Sequence, residues 1–233
     1  MIEYKVMNKH IKIPHNFFEK KAWANNTYVC GIDEVGRGCL AGPLVVGAVI
    51  LPIGTKYRFK DSKLLTANER EKNFTWITKH AYYSTAIVSN ILIDKINIYQ
   101  ATVYAMKRAY LQLIETIPFE YQLLKYLVTD AIPLIFDSIH LHNNLEINHF
   151  PFGESISTTI AAASIVAKVT RDQLMNTMAE IFPAFSFHKH KGYGTKQHLE
   201  ELTNTGQSLI HRISFLKSLK SGNEDENQQS LFE

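Results

Sequence analysis

The chain has 233 residues, of which 45% are hydrophobic and 20% are charged, with 11 Gly and 7 Pro. This is the composition of an ordinary globular protein, and it excludes collagen-like, mucin-like and intrinsically disordered chains. The net charge is +3, but the last thirteen residues hold four acidic residues and no Lys or Arg, so the first 220 residues carry +7. Such a surplus suits a polyanionic partner, although many proteins without one are equally basic.

The sequence also indicates where the protein works. The longest weakly polar run, residues 42–54, is too short to cross a bilayer, and residues 1–12 lack the apolar region of a secretory signal. The two cysteines, Cys30 and Cys39, are too few for a disulfide scaffold or a zinc site. We therefore expect a cytoplasmic protein that acts as a monomer and has no membrane partner.

Composition divides the chain into three parts. Residues 1–26 form a lead-in that is too short for a separate domain. Residues 221–229 contain no large apolar residue, so we expect residues 221–233 to be a flexible acidic tail. The remaining residues, 27–220, are predicted to form one domain.

Two apolar runs, residues 28–32 and 44–51, are rich in Val, Ile and Leu and are bounded by Gly and Pro. They predict two buried strands that pair as a hairpin around the Gly-rich loop 36–43. Asp61 or Ser62 is the predicted cap of the helix that follows. The later elements alternate, with helices predicted at 67–80, 97–115 and 156–182 and strands at 82–89 and 123–129. This order predicts a mixed α/β sheet with helices on its faces and a helical C-terminal portion.

Asp33 and Glu34 stand at the end of the first predicted strand, directly before a Gly-Arg-Gly sequence. Adjacent carboxylates repel each other unless a cation neutralises them, and oxygen ligands of this kind suit Mg²⁺ or Mn²⁺. Both can reach one site only where the strand bends or ends, because successive side chains of a regular strand point to opposite faces. Taken alone, the pair is either a metal site or a solvated strand end.

The segment around this pair, GIDEVGRGCLAGP at residues 31–43, resembles the signature of the type 2 ribonucleases H, in particular bacterial ribonuclease HII. Other segments resemble the same family in the same order: KDSKLL at 60–65, the helix at 97–106, IAAASIVAKVTRD at 160–172, HKGYGT at 190–195 and HRISF at 211–215. Several ordered motifs over roughly residues 29–216 make the resemblance specific. It implies that residues 27–220 are a catalytic domain with a ribonuclease H-like fold, a mixed sheet flanked by helices.

The resemblance also implies four carboxylates that hold two divalent metal ions, Mg²⁺ or Mn²⁺. Asp33 and Glu34 match the first two. Asp130 fits the third because it ends an apolar, strand-like run, and Asp137 competes because its spacing to the next motif is closer to the family's. The fourth position carries Glu154, where ribonuclease HII usually has Asp and ribonuclease HIII has Glu. Without the neighbouring motif, Glu154 would be interpreted as an acidic residue at the N-terminus of a helix, where its charge interacts with the helix dipole.

The intact Gly36-Arg37-Gly38 loop and the short lead-in resemble ribonuclease HII more than ribonuclease HIII, which carries an additional N-terminal domain. By this resemblance, the loop and Tyr193 recognise the 2′-hydroxyl of a ribonucleotide that is followed by DNA, while Arg37 and Lys63 contact phosphates. Glycine lets the backbone approach the sugar, and the 2′-hydroxyl is what distinguishes RNA from DNA. Standing alone, Tyr193 and Lys63 would be interpreted as surface residues.

The implied activity is that of an endoribonuclease, a phosphodiester hydrolase that cuts the RNA strand of RNA/DNA hybrids and cuts 5′ of ribonucleotides embedded in duplex DNA. Two metal ions roughly 4 Å apart would activate water and stabilise the leaving 3′-oxygen, giving 5′-phosphate and 3′-hydroxyl ends. Glu154 leaves two alternatives open. One is hybrid cleavage without junction preference, as in ribonuclease HIII, and the other is hybrid binding without catalysis.

Other charged residues toward the C-terminus receive no catalytic role. Arg171 is predicted to belong to a structural charge network on the long helix. Four histidines are irregularly spaced, so we expect them to be solvated or to face phosphates rather than to bind a metal: His188, His190, His198 and His211.

At the C-terminus, QQSLF at residues 228–232 resembles the short peptide with which bacterial replication and repair proteins bind the sliding clamp. Gln228, Leu231 and Phe232 would then bind the clamp, and the polar tail would be a linker that orders on binding. An incidental C-terminus is the alternative, because a five-residue motif is weak evidence by itself.

Overall fold

The computed structural model describes residues 14–60, 62–136 and 145–220. The strands in these residues are β1 (Tyr28–Val35), β2 (Leu44–Ile50), β3 (Tyr82–Val88), β4 (Leu124–Asp130) and β5 (Glu146–Phe150). The helices are α1 (Phe17–Trp23), α2 (Ala67–His80), α3 (Asn90–Ile96), α4 (Ile98–Ile114), α5 (Gly153–Ile156), α6 (Thr158–Ile181), α7 (Phe187–His190), α8 (Lys196–Thr205) and α9 (Ile213–Lys220). Short 3₁₀ turns lie at Ser62–Leu64 and Tyr121–Leu123.

The strands form one sheet in the order β3-β2-β1-β4-β5. β1 pairs with β4 in parallel, with Ile32 opposite Thr129, and β4 pairs with β5 in parallel, with Asp130 opposite Phe150. β2 is buried along its whole length and is the neighbour of β1, as the predicted hairpin requires. The mixed sheet with flanking helices confirms the predicted α/β architecture.

The chain packs as two compact units, each built from separate segments. The described parts of residues 1–35, 46–86 and 103–169 form the first unit, and those of residues 36–45, 87–102 and 170–233 form the second. In the first, α6 residues from Ala161 to Val169 pack with Val49, Leu51 and Ile77. In the second, Ala41, Met175, Phe185 and Phe187 pack together. The domain boundaries at 27 and 220 stay a prediction, and residues 221–233 lie outside the described residues.

Helix α1 lies in the lead-in and belongs to the core of the first unit. Phe18 packs against Tyr126 of β4 and Phe150 of β5. The buried Glu19 carboxylate accepts hydrogen bonds from the Ser157 hydroxyl and, at 3.1 Å, from the backbone N–H of Thr159. Since these groups lie at the N-terminus of α6, the negative charge also complements the helix dipole.

The predicted cap of α2 is wrong, because Thr66 caps this helix. The Thr66 hydroxyl accepts a hydrogen bond from the backbone N–H of Glu69 at 3.3 Å, and the Glu69 carboxylate accepts one from the backbone N–H of Thr66 at 2.8 Å. This capping box satisfies two backbone donors at once. Ser62 instead begins a 3₁₀ turn, and Asp61 lies outside the described residues.

The predicted helix at 156–182 is two helices. Ser157 has an extended backbone between α5 and α6, and its hydroxyl accepts a hydrogen bond from the backbone N–H of Ile160 at 3.2 Å. Helix α6 then runs to Ile181, two residues before Pro183. Among the helices that the structure describes, none combines the length and apolarity that a bilayer crossing requires.

Candidate active site

The four candidate carboxylates are delivered by three parallel strands. Asp33 and Glu34 lie near the C-terminal end of β1, Asp130 ends β4, and Glu154 follows β5 by four residues. Since β1, β4 and β5 run parallel, their C-terminal ends lie at one edge of the sheet. The backbone N–H of Gly153 donates to Asp130 Oδ1 at 2.9 Å and so ties the residue before Glu154 to the end of β4.

Asp33 is the buried member of this group. Burial raises the pKa of its carboxyl well above the ordinary value, and the negative charges of Glu34 and Asp130 raise it further. A hydrogen bond from Ser164 and one from the backbone N–H of Glu34, at 2.8 Å, act in the opposite direction. The surroundings of Asp33 therefore disfavour the charged form of its carboxyl group.

A chain of hydroxyl groups links Asp33 to the turn that carries Lys63. Ser164 of α6 hydrogen-bonds Asp33, and its Oγ lies 2.8 Å from Oγ of Ser62. Arg70 holds the same turn by donating to the Ser62 carbonyl at 3.0 Å. Lys63 is exposed on this 3₁₀ turn.

The donor set fits a hard divalent cation. The four side chains are carboxylates, which are the ligands that Mg²⁺ and Mn²⁺ prefer. After burial, the charges of Glu34 and Asp130 are the next causes that raise the pKa of Asp33, and a cation would offset them. Within the described residues, no group of three or more His, Cys, Asp or Glu side chains is arranged so that it could hold a metal ion. The four candidate donors nevertheless lie at one edge of the sheet.

The structure describes one of the two candidates for the third carboxylate, Asp130. Asp130 is followed by Ala131 in the left-handed conformation, with φ of 53°, and the Ala131 N–H donates to the Phe150 carbonyl at 3.1 Å. The chain therefore turns sharply at the sheet edge just after Asp130. Asp137 lies outside the described residues.

The Gly36-Arg37-Gly38 loop lies in the second unit, where the buried Arg212 binds its backbone. The guanidinium donates to the carbonyl oxygens of Gly36 at 2.7 Å, Arg37 at 2.8 Å and Gly42 at 3.0 Å. Gly36 has φ of +92°, and a β-carbon there would lie 2.3 Å from Nε of Arg171. Only glycine meets both conditions.

Arg171 is a second buried arginine whose guanidinium donates to backbone carbonyls. It donates to the carbonyl oxygens of Pro43 at 2.9 Å, Lys191 at 2.8 Å and Ala41 at 3.2 Å, and its guanidinium carbon lies 5.7 Å from the centroid of the Tyr193 ring. These bonds join the loop to the turn that carries Tyr193. They are made to backbone carbonyls, whereas the sequence predicted a charge network on the long helix for Arg171.

Tyr193 follows Gly192, which has φ of +85° and accepts a hydrogen bond from the backbone N–H of Leu40 at 2.8 Å. Burial and the neighbouring Cys39 raise the pKa of the Tyr193 hydroxyl, so the group keeps its proton and can donate a hydrogen bond. The residue is 38% exposed. The structure thus brings Tyr193 and the Gly-Arg-Gly loop into one unit and the carboxylates and Lys63 into the other.

The prediction that the C-terminal histidines are solvated or face phosphates is wrong for three of the four. His190, His198 and His211 are buried, whereas His188 is exposed. The buried rings bond to each other, to backbone groups and to Glu201. No local sequence signal indicates this, because the partners are brought together by the fold of the second unit.

The sequence profile described as Ribonuclease HII matches residues 30–218. The chain belongs to the ribonuclease HII family. The curated Ribonuclease HII of Acholeplasma laidlawii is 43% identical over 201 residues, which cover 85% of this chain and 92% of that protein. The curated Ribonuclease HII of Levilactobacillus brevis is 45% identical over 202 residues, which cover 85% of this chain and 72% of that protein.

Solved structures of type 2 ribonucleases H share the fold. Ribonuclease H2 from Pyrococcus horikoshii superposes with a TM-score of 0.62 at 22% identity, covering 83% of this chain and 97% of that one. Bst-RNase HIII in complex with Mn²⁺ superposes with a TM-score of 0.64 at 18% identity, covering 86% of this chain and 71% of that one. The PCNA:RNase HII complex from Archaeoglobus fulgidus superposes with a TM-score of 0.60 at 21% identity, covering 86% of this chain and 99% of that one.

Family membership confirms the expected enzyme class. This ribonuclease HII is a phosphodiester hydrolase of the type that acts on RNA/DNA hybrids, and dependence on a divalent metal is general in the ribonuclease H family. Gln228, Leu231 and Phe232 of the expected clamp-binding peptide lie outside the described residues.

Proposed function

We propose that this ribonuclease HII cuts 5′ of ribonucleotides embedded in duplex DNA, in addition to cutting the RNA strand of hybrids, and leaves 5′-phosphate and 3′-hydroxyl ends. Asp33, Glu34, Asp130 and Glu154 are the proposed metal ligands. The observation that carries the proposal is the parallel pairing of β1, β4 and β5, which brings these four carboxylates to one edge of the sheet.

Asp33, Glu34, Asp130 and Glu154 would hold the divalent ions, which would supply activation of water and charge stabilisation of the leaving oxygen. The carboxylates act as ligands and not as nucleophiles, so no covalent enzyme intermediate forms. Ser164 and the backbone N–H of Glu34 orient the Asp33 carboxylate. Because the four side chains together repel phosphate, we expect binding of nucleic acid at this edge to require the cation.

The second unit supplies the proposed recognition of the ribonucleotide. Gly36 and Gly38 permit close approach of the loop backbone to the sugar, and Tyr193 donates a hydrogen bond from its protonated hydroxyl. Arg37 and Lys63 contact phosphates through charge-assisted hydrogen bonds. Gly36 follows Glu34 by two residues in the chain.

The test is cleavage of an end-labelled DNA duplex that carries one ribonucleotide, in Mg²⁺ and then in Mn²⁺, beside an RNA/DNA hybrid of the same length. Asp33→Asn should abolish both reactions. It should not lower stability, because it removes a buried charge that Glu34 and Asp130 repel. Glu115→Gln, which changes an exposed acid outside the site, is the matched control and should cut like the wild type.

Each outcome has a distinct meaning. A cut on the 5′ side of the single ribonucleotide, absent in Asp33→Asn, supports the proposal. Cleavage of the hybrid alone indicates the specificity of ribonuclease HIII, in keeping with Glu154. Binding of both substrates without cleavage indicates a non-catalytic module, and activity of Asp33→Asn with native circular dichroism overturns the ligand assignment.

We also propose that residues 228–232 bind the sliding clamp. The Archaeoglobus fulgidus structure is a PCNA:RNase HII complex, which supports a partner of this kind. Deletion of residues 221–233 should remove clamp binding in a pull-down or calorimetric titration and leave hydrolysis unchanged. The double variant Leu231→Ala, Phe232→Ala should do the same, with Asn227→Ala as its control, and an unchanged clamp affinity would refute the idea.

A further inference from the structure

Two buried histidines connect the backbone of Tyr193 to the loop before α9. Nδ1 of His198 lies 2.8 Å from the Tyr193 carbonyl oxygen, and Nε2 of His198 lies 3.0 Å from Nε2 of His211. The backbone N–H of Ser208 donates to Nδ1 of His211 at 2.9 Å. We call these groups the histidine relay; it runs from Ser208 through His211 and His198 to Tyr193.

The chemistry of the end groups fixes every proton in the histidine relay. A backbone N–H only donates, so Nδ1 of His211 has no proton and its Nε2 carries one. A carbonyl oxygen only accepts, so Nδ1 of His198 carries the proton and its Nε2 accepts from His211. Adding a proton to either ring would set two donors against each other. The relay therefore requires neutral rings of opposite tautomer, with the proton on Nδ1 in His198 and on Nε2 in His211.

A third histidine supports the same turn from its other side. Nδ1 of His190 accepts from the backbone N–H of Gly192 at 3.1 Å, and Nε2 of His190 lies 3.0 Å from the Glu201 carboxylate. The rings of His190 and His198 stack with centroids 4.2 Å apart. The backbone of Gly192 and Tyr193 is thus held by bonds to two stacked imidazoles.

The surroundings keep these rings neutral. Burial lowers the pKa of His211 to about 4, with help from His198, and burial also lowers the pKa values of His198 and His190. The carboxylate of Glu201, which faces His190, raises the pKa of His190 and so opposes the effect of burial. The exposed His188 lowers the pKa of His190 further.

We propose that His198 and His211 are positioning residues for Tyr193 and act through the Nδ1-protonated tautomer of His198. The inference rests on the proposed role of Tyr193 in recognising the ribonucleotide. The histidine relay fixes the backbone of Tyr193, and Arg171 lies over its ring, so the hydroxyl is held where it meets the sugar. In the sequence, His211 begins the HRISF motif and His198 lies outside every motif.

The first experiment tests the histidine relay without any substrate. Nitrogen-15 NMR of the full chain labelled at histidine distinguishes the two neutral tautomers from each other and from the cation. At pH 7.5 we expect His198 to be protonated at Nδ1 and His190 and His211 to be protonated at Nε2. His198 protonated at Nε2, or a cationic ring at either relay position, would overturn the proposal.

The second experiment tests positioning through the kinetics of cleavage at a single embedded ribonucleotide. His198→Leu should lower kcat/KM about tenfold, mainly through KM, because the bond to Tyr193 is lost. His198→Asn should stay within about threefold of the wild type, since its amide N–H can take the place of Nδ1–H. Thermal melting of each variant separates loss of folding from loss of positioning.

A double-mutant cycle decides whether His198 acts through Tyr193. In the Tyr193→Ala background, His198→Leu should have no further effect on kcat/KM, whereas a full tenfold loss there would contradict positioning. If the wild type does not cut at a single ribonucleotide, the proposed junction activity fails, and the NMR assignment alone then decides the relay.

Discussion

Two buried guanidinium groups donate hydrogen bonds to five backbone carbonyls of the loop at residues 36–43, those of Gly36, Arg37, Ala41, Gly42 and Pro43. The two groups belong to Arg212 and Arg171, and each donates hydrogen bonds to three carbonyl oxygens. A guanidinium presents five N–H donors in a fixed plane, whereas an ammonium is a single point. Burial lowers the pKa of Arg212 to about 10, so the side chain still carries its charge at neutral pH.

Arg212→Lys should therefore be a damaging change in spite of the retained charge. One ammonium cannot satisfy the carbonyls of Gly36, Arg37 and Gly42 together, and we expect a loss of about 2 kcal/mol in the free energy of unfolding. Urea denaturation measures it. Arg108→Lys on the exposed face of α4 is the control and should change stability by less than about 0.5 kcal/mol. A variant as stable as this control would contradict the structural role of Arg212.

At the residue scale, sequence reveals groups that are unusual in themselves. Adjacent Asp33 and Glu34 before a Gly-Arg-Gly loop are such a group, and they were identified as candidates from the sequence. Arg212 was not, because its partners are backbone carbonyls 170 to 176 positions away, and a backbone carbonyl has no sequence signature.

At the element scale, the periodicity of apolar residues predicted β1 to β4 and the helices α2, α4 and α6, but it did not predict β5 and it located the ends of elements less well. The helix predicted at 67–80 has these bounds in the structure, yet its cap is Thr66. The long helix predicted from residue 156 is interrupted at Ser157. Apolar spacing averages over several turns, so it does not detect a single extended residue or decide between neighbouring polar caps.

The capping box of α2 gives a prediction for this element. Thr66→Ala removes the acceptor of the Glu69 N–H and should lower the free energy of unfolding by about 1 kcal/mol. Thr75→Ala in the same helix, whose hydroxyl bonds only the Glu71 carbonyl among its described contacts, should have an effect of less than about 0.5 kcal/mol. Equal effects in urea denaturation would show that the capping box contributes nothing beyond helix propensity.

At the scale of the whole molecule, the sheet order explains why the candidate site is distributed along the chain. β1 lies between β2 and β4, and β5 lies outside β4, so carboxylates at positions 33, 130 and 154 reach one edge. Parallel pairing of strands nearly a hundred residues apart follows from long-range packing and not from any local pattern. The resemblance to a known family had already indicated that these distant carboxylates belong to one site.

Acid should destabilise the folded chain through its buried histidines. The pKa of His211 is lowered to about 4, against an ordinary value of 6.5, because burial and His198 disfavour its cation. The unfolded chain therefore binds the proton first. The contribution of His211 is complete above about pH 6.5, falls as the pH drops toward 4, and amounts to no more than about 3 kcal/mol. The lowered pKa values of His190 and His198 act in the same direction.

Measuring the free energy of unfolding by urea at steps from pH 7.5 to pH 4.5 tests this. The wild type should lose stability across the range, and His211→Gln should lose less, because it has one group fewer to protonate. The comparison isolates the histidine, since carboxyl groups contribute equally to both proteins, including Asp33, whose raised pKa acts in the opposite direction. Parallel curves for the wild type and His211→Gln would mean that His211 is not held as a neutral ring in the folded protein.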